Sequence, residues 1–155
     1  MARESRPKIL LVCSTGGHLT QMAALHDWWS RYERVWVTFH APDAESMLAA
    51  ERVVWAYSPT TRNIPNMIRN FRLAVSVLRE ERPKLVVSCG AGVAFPFFAA
   101  ARMRGTKTVY FEVYDRLDSP TLTGRLCRPL SDVFLVQWQE QLKYYPGSRL
   151  IGPLL

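Results

Sequence analysis

The sequence predicts an α/β fold, a doubly wound parallel sheet. Short apolar, β-branched runs recur along the chain with helical patterns between them. Several of these runs, Leu85-Val86-Val87 above all, are apolar on both faces, as strands covered by helices on two sides must be. Strand and helix patterns alternate throughout, with no repeat, low-complexity segment or internal linker. A chain of 155 residues is long enough to bury a core, and residues 1–155 are read as a single domain.

The elements follow in order. Lys8–Cys13 is a strand, because Ile9-Leu10-Leu11-Val12 is an unbroken apolar run. A tight Gly-Gly turn separates it from an apolar-periodic helix at Leu19–Tyr32. Strands are predicted at Arg34–Phe39, Val53–Tyr57, Lys84–Ser88, Thr106–Phe111, Val133–Val136 and, briefly, Arg149–Ile151. Helices are predicted at Asp43–Ala50, Ile64–Glu81, Phe95–Arg104, Thr121–Cys127 and Gln137–Tyr144. In the helix from Ile64, the residues Met67, Ile68, Phe71, Val75 and Leu78 make one apolar stripe, expected to cover the sheet. Arg69, Arg72 and Arg79 fall on the other side, suited to solvent or to an anionic membrane surface. Trp28 and Trp29 are adjacent, so they cannot both face inward on one helix. At least one is expected near the surface, at a membrane or partner contact.

Composition narrows the class. Hydrophobic residues make up 48% and charged residues 21%, the balance of a globular protein rather than a disordered one. Cys13, Cys89 and Cys127 have no metal-ligand spacing, and an odd count favours free thiols in a reducing compartment, with no metal site. The charged N-terminus reads as neither signal peptide nor anchor. The most apolar window, Val93–Ala101, is about half of a membrane span and contains Pro96. The net charge of +7 favours anionic partners. Nucleic acid is disfavoured, because the arginines are not interleaved with aromatics on a recognisable module.

The richest motif is Cys13-Ser14-Thr15-Gly16-Gly17-His18 at the end of the first strand. Gly16 and Gly17 allow close backbone approach to a ligand, and a helix start follows. It is not the dinucleotide fingerprint, since no third glycine follows at the required spacing. Open α/β sheets bind ligands at the carboxyl ends of their strands, which is where His18 stands. An imidazole there suits deprotonation of a hydroxyl nucleophile near neutral pH. Gly90-Ala91-Gly92 after the fourth strand and Glu112 after the fifth reach the same edge. Glu112 is either a ligand-facing carboxylate or a structural partner of Arg116. Asp115 and Arg116 are weaker candidates. Arg62, Asn63 and Asn66 open the Ile64 helix, where an arginine fork suits phosphate. His26 and His40 read as incidental.

These segments, in this order, resemble a family. Cys13–Met22, Thr60-Thr61-Arg62-Asn63 with Asn66 and Arg69-Asn70, Ser88–Pro96, Phe111-Glu112 through Ser119–Gly124, and Phe134–Trp138 are similar to the PssD/EpsE-type polysaccharide biosynthesis proteins. These are bacterial relatives of the acceptor-binding subunit of the split N-acetylglucosaminyltransferase of asparagine-linked glycosylation. The resemblance implies a Rossmann-like sheet forming the N-terminal half of a GT-B glycosyltransferase, with no cofactor. It implies an acceptor-binding subunit of a two-chain inverting enzyme. Such an enzyme moves a sugar from a nucleoside diphosphate sugar, UDP-linked, to a lipid-diphosphate-linked glycan in exopolysaccharide or capsule assembly. The implied partners are a small donor-binding GT-B C-terminal-half subunit, the donor at the shared cleft, the lipid-linked acceptor and the membrane. The implied location is the cytoplasmic side of the cell membrane, held peripherally. By the same resemblance His18 is the candidate base, Glu112 an alternative base or acceptor ligand, and Gly16, Gly17, Arg62, Asn63, Asn66, Gly90 and Gly92 the acceptor and phosphate contacts. Two other readings remain: a non-catalytic scaffold that recruits a glycosyltransferase to the membrane, and a free-standing nucleotide-binding enzyme. The eukaryotic subunit carries a membrane helix that has no counterpart here, so attachment is expected to fall to basic and aromatic surface or to the partner.

Overall fold

The computed structural model describes residues 5–155, so the first residues of the charged N-terminus lie outside the described residues. One sheet holds seven strands: β1 (Lys8–Val12), β2 (Glu33–Phe39), β3 (Val53–Ala56), β4 (Leu85–Ser88), β5 (Lys107–Phe111), β6 (Val133–Val136) and β7 (Arg149–Leu150). Their order is β3-β2-β1-β4-β5-β6-β7, and each pairing is parallel. The helices are α1 (Gly17–Ala23), α2 (His26–Trp29), α3 (Pro42–Met47), α4 (Ile64–Glu81), α5 (Ala94–Arg104) and α6 (Leu122–Cys127), with 3₁₀ turns at Arg128–Leu130 and Gln139–Lys143.

Strand alternation builds two cores. Leu10, Val12, Val35, Val37 and Val86 pack with Ala74, Val77 and Leu78 of α4 and Phe97 and Phe98 of α5. Ile9, Leu11, Trp36 and Val87 point the opposite way, against Leu19 and Met22 of α1, Trp29 of α2 and Ala44 of α3. This is the period of two that a sheet covered on both faces requires. The chain runs outward through β1, β2 and β3, and α4 then carries it back to set β4 on the other side of β1. The carboxyl ends of β1 and β4 are therefore the point where strand order reverses. Connections leave in opposite directions there, and a crevice opens.

Three expectations need correction. The helix predicted over Leu19–Tyr32 is two short helices, broken at Ala24 and Leu25. The break lets the Trp29 indole donate 3.0 Å to the Met22 carbonyl, one of the orphan acceptors at the end of α1. Trp29 is consequently buried, edge-on to Trp36 with the Arg34 guanidinium over its ring, and is not a membrane or partner surface. Trp28 is half-buried against Tyr32. The segment predicted as a helix over Gln137–Tyr144 is a 3₁₀ turn. The buried Gln141 side chain accepts from the Gln137 and Trp138 amides and donates to the Val113 and Arg116 carbonyls, so side-chain bonds replace a helical ladder.

The third correction concerns α4. Its buried face is Asn66, Asn70, Ala74, Val77, Leu78 and Glu81, while Met67, Ile68 and Val75 of the predicted stripe are exposed and Phe71 is half-buried. Polar residues can face inward because each is satisfied. Asn70 accepts from the Tyr57 amide and donates to its carbonyl, Asn66 donates to the Pro59 carbonyl, and Glu81 pairs with Lys8 and Arg52. Met67, Ile68 and Val75 are thus left on the surface of the molecule.

Candidate functional site

A cavity of about 530 Å³ lies at the reversal point. Its walls come from the loops that follow β1, β3, β4 and β5 and from the start of α6. His18, Thr60, Arg62, Ala91, Gly92, Tyr110, Glu112, Arg116 and Thr121 all line it. Two of the three non-glycine residues with positive φ among the described residues, Arg62 (49°) and Ala91 (61°), stand in this wall. Backbone held in a sparsely populated region tends to gather at functional sites.

His18 is set by its own loop and by β4. Its Nδ1 lies 3.1 Å from the Cys89 carbonyl oxygen, and the Cys89 thiol in turn bonds the His18 carbonyl at 3.2 Å. A carbonyl only accepts, so Nδ1 carries the hydrogen and Nε2 keeps a lone pair. Burial lowers the His18 pKa below its usual value of 6.5, against the opposing pull of the Cys89 carbonyl, Asp115 and Glu112. The imidazole is therefore neutral at pH 7, with a defined tautomer and a free base nitrogen. If deprotonation by His18 limits turnover, the acid limb of the pH profile of kcat/KM has its midpoint below 6.5. Activity is then retained at pH 6.5 and falls only on further acidification. A steady-state pH series checks this, and a midpoint above 6.5 would contradict it.

Glu112 is placed differently from a ligand-facing carboxylate. It is 1% exposed. Its oxygens accept from the Val113 amide at 3.0 Å, from the Thr121 hydroxyl at 2.9 and 3.2 Å, and from the Tyr145 hydroxyl. Among the described residues it forms no ion pair with Arg116, the structural partner expected from sequence. It instead ties the end of β5 to the N-cap of α6, where Thr121 also accepts from the Gly124 amide at 2.9 Å. Burial, with Glu112 as hydrogen-bonded neighbour, pushes the Tyr145 hydroxyl above its ordinary range, so it stays a donor.

The other expected contacts divide. Gly92 lines the cavity, where a Cβ would meet Thr60 Oγ1 at 2.7 Å. Gly90, at φ 114°, leaves space beside His18. Arg62 and Arg116 reach the cavity exposed and, among the described residues, without an ion pair. The Gly16 amide, expected to face an anion, donates 2.8 Å to Asp43 instead, and neither Gly16 nor Gly17 lines the cavity. Asn63 is the N-cap of α4, accepting from the Asn66 amide at 3.0 Å. Asn66 is spent on Pro59 and on Arg69, so it positions the loop rather than binding a ligand. Arg69, Arg72 and Arg79 are exposed along α4. His40, read as incidental, contacts Glu45, and His26 lies against the Trp29 ring.

Sequence reasoning missed Tyr110, Thr121 and Tyr145. Tyr110 sits in a strand whose alternation reads as core. Thr121 carried the clearest signal, a threonine placed where a helix begins.

An apolar groove continues from this cavity. One stretch, of about 200 Å³, shares Thr60, Arg62, Gly92, Leu122 and Thr123 with it and adds Ile64, Met67, Phe95 and Leu126. The next, about 250 Å³, runs between Met67, Ile68 and Phe71 of α4 and Phe95, Pro96 and Ala99 of α5. Ile64 and Leu122 at its rim are 66% and 72% exposed. No group of His, Cys, Asp or Glu among the described residues is arranged to hold a metal ion. No described helix is long and apolar enough to cross a membrane.

Comparison with known proteins agrees with this architecture. The chain is similar over 94% of its length to MurG of Acinetobacter baumannii, with a TM-score of 0.75 at 15% identity, and it covers 46% of that chain. That likeness speaks to fold, the Rossmann-like sheet expected of a GT-B N-terminal half. Among curated proteins, it is 24% identical over 184 residues to the UDP-N-acetylglucosamine transferase subunit ALG14 of Yarrowia lipolytica, covering 99% of this chain and 83% of that protein. It is 27% identical over 99 residues to the subunit of the same name in Candida albicans, covering 60% of this chain and 45% of that one. The family model described as "Oligosaccharide biosynthesis protein Alg14 like" matches residues 52–154, from the start of β3 through the whole second half of the site, and the chain belongs to that family.

Proposed function

We propose that this chain is the acceptor-side subunit of a two-chain inverting glycosyltransferase, of the bacterial PssD/EpsE type within the Alg14-like family. Its partner is a small donor-binding GT-B half that presents a UDP-sugar to the cleft. Its acceptor is a lipid-diphosphate-linked glycan of exopolysaccharide or capsule assembly, met at the cytoplasmic face of the membrane. The observation that carries this reading is the continuity of the groove. A cavity with His18, Arg62 and Arg116 on its wall opens past Arg62 into an apolar channel between α4, α5 and α6. An amphiphile with a sugar head, a diphosphate and a hydrocarbon tail matches that order of surfaces.

The chemistry follows from the tautomer. The acceptor hydroxyl gives its proton to His18 Nε2 as its oxygen attacks the anomeric carbon. The new C–O bond forms as the bond to the nucleoside diphosphate breaks, and the diphosphate leaves with the electron pair. Arg62 and Arg116, without an ion pair among the described residues, hold acceptor phosphate oxygens through their planar forks. In this reading residues 1–155 act as one domain, with His18 and Arg62 carried by loops of the same sheet.

Two measurements test the reading. In calorimetric titration the chain alone binds a short-chain lipid diphosphate, and binds UDP-sugars poorly because donor contacts belong to the partner. Tight UDP-sugar binding by the chain alone would favour the free-standing enzyme. In sedimentation with anionic liposomes, binding falls as salt screens Arg69, Arg72 and Arg79. A salt-resistant fraction persists, carried by the exposed apolar rim. A Met67→Glu/Leu122→Glu variant loses that fraction. Binding of that variant at high salt equal to wild type would remove the groove from the membrane contact.

A further inference from the structure

Tyr110 lies on the floor of the cavity, and nothing above gives it a role. Its ring stacks on Phe134 (centroids 4.8 Å apart, planes at 17°) and meets Phe98 edge-on at 5.9 Å, which fixes the position of its hydroxyl. The residue is 1% exposed and lines the cavity with His18 and Glu112. A Cβ built at Gly90 would fall 2.8 Å from the Tyr110 hydroxyl and 3.4 Å from His18 Cε1. A side chain at Gly90 would strike the Tyr110 hydroxyl, so the glycine lets that hydroxyl and the His18 ring both sit close to the end of β4.

Among the described residues the Tyr110 hydroxyl has the Thr121 side chain as its hydrogen-bonding neighbour. Its polar neighbour, Thr121 Oγ1, already donates to Glu112 at 2.9 Å and accepts from the Gly124 amide at 2.9 Å. Buried hydroxyls are ordinarily paired, and one whose protein neighbour is already engaged elsewhere keeps hydrogen-bonding capacity for a ligand atom in the cavity it lines. Burial first, and then the charge of Glu112, push Tyr110 well above the usual tyrosine range, so it offers a proton and never a charge. The nearby carboxylate also makes the floor unsuited to phosphate. Arg62 and Arg116, without an ion pair among the described residues, are the cations that line the cavity.

We propose that Tyr110 is a further substrate-contacting residue, whose hydroxyl donates a hydrogen bond to an uncharged oxygen of the acceptor sugar beside the hydroxyl that faces His18. The inference rests on the lipid-diphosphate reading and divides the acceptor between two places, sugar on the Tyr110 floor and diphosphate at the arginines.

The test is calorimetric titration of the full chain with two probes, citronellyl pyrophosphate and the same molecule carrying N-acetylglucosamine. Tyr110→Phe keeps the ring packing and removes only the hydroxyl. It weakens the sugar-bearing probe about 3- to 10-fold, the range of one lost hydrogen bond, and leaves the sugar-free probe unchanged. Arg62→Ala weakens both. Equal affinity of Tyr110→Phe and wild type for the sugar-bearing probe would overturn the inference alone, as would equal weakening of both probes. Failure of the wild-type chain to bind either probe would overturn the lipid-diphosphate reading and the inference with it. A second measurement needs no variant. With [¹³Cζ]tyrosine in the wild-type chain, the Tyr110 resonance shifts on adding the sugar-bearing probe and not the sugar-free one, and the absence of that difference also overturns the inference.

Discussion

His18→Ala, measured in the complex with the donor-binding half, lowers turnover about 10²–10⁴-fold while leaving assembly intact. The size follows from losing a general base whose tautomer is already fixed. Nδ1 is committed to the Cys89 carbonyl, so Nε2 is the nitrogen that receives the proton. The side chain is half-buried at the start of α1, and the core residues Leu19 and Met22 that hold this helix are untouched by the change. The loss should therefore appear in kcat, with thermal stability close to wild type. A variant that keeps near-normal turnover would leave the chain a binding role only, and the scaffold reading would replace the catalytic one.

The second large effect falls on Gly124. A Cβ there would lie against the Tyr145 hydroxyl, 2.5 Å from Glu112 Oε2 and 2.8 Å from Thr121 Oγ1. Gly124→Ala thus drives a methyl group into the hydrogen-bonded knot that joins β5, α6 and the segment at Tyr145. Overpacking of this kind costs about 1–3 kcal/mol. In a domain of this size that is a fall in melting temperature on the order of 2–12 °C. The cavity wall at Thr121 and Leu122 moves with it, so acceptor affinity falls too. Glu112→Gln shares the phenotype in milder form, since it keeps the shape but presents an amide where the Thr121 and Tyr145 hydroxyls both donate. If Glu112→Gln abolished turnover with unchanged melting and acceptor binding, Glu112 would be reacting directly and the assignment of the base would pass to it. Thermal denaturation alongside acceptor titration separates the two outcomes.

Much of the sheet was legible because its signals are local. Leu85-Val86-Val87 can only be a strand covered on two faces, and Gly16-Gly17 can only be a turn before a helix. The His18 position followed from those two facts, since a loop after the first strand of such a sheet must reach the carboxyl edge. What stayed hidden depended on partners far along the chain. The periodicity of α4 turned Met67 and Ile68 inward, because nothing in the sequence says that Asn70 will be satisfied by the backbone of Tyr57, thirteen residues earlier. Trp29 is buried through a break in the helix that its own indole helps to stabilise. Gly16 seemed open to an anion until Asp43 was found on its amide. Glu112 illustrates the same limit: a carboxylate at a strand end looks like a ligand until the threonine and tyrosine that occupy it come from nine and thirty-three residues away.

The most direct test of the account is transfer by the reconstituted pair. This chain, a small donor-binding GT-B half and a lipid-diphosphate-linked acceptor are combined with a radiolabelled UDP-sugar, and product is extracted into organic solvent. The account predicts labelled lipid product from the two chains together and none from either alone, with formation nearly abolished by His18→Ala. Equal product from the donor-binding half alone, or from the pair carrying His18→Ala, would contradict it.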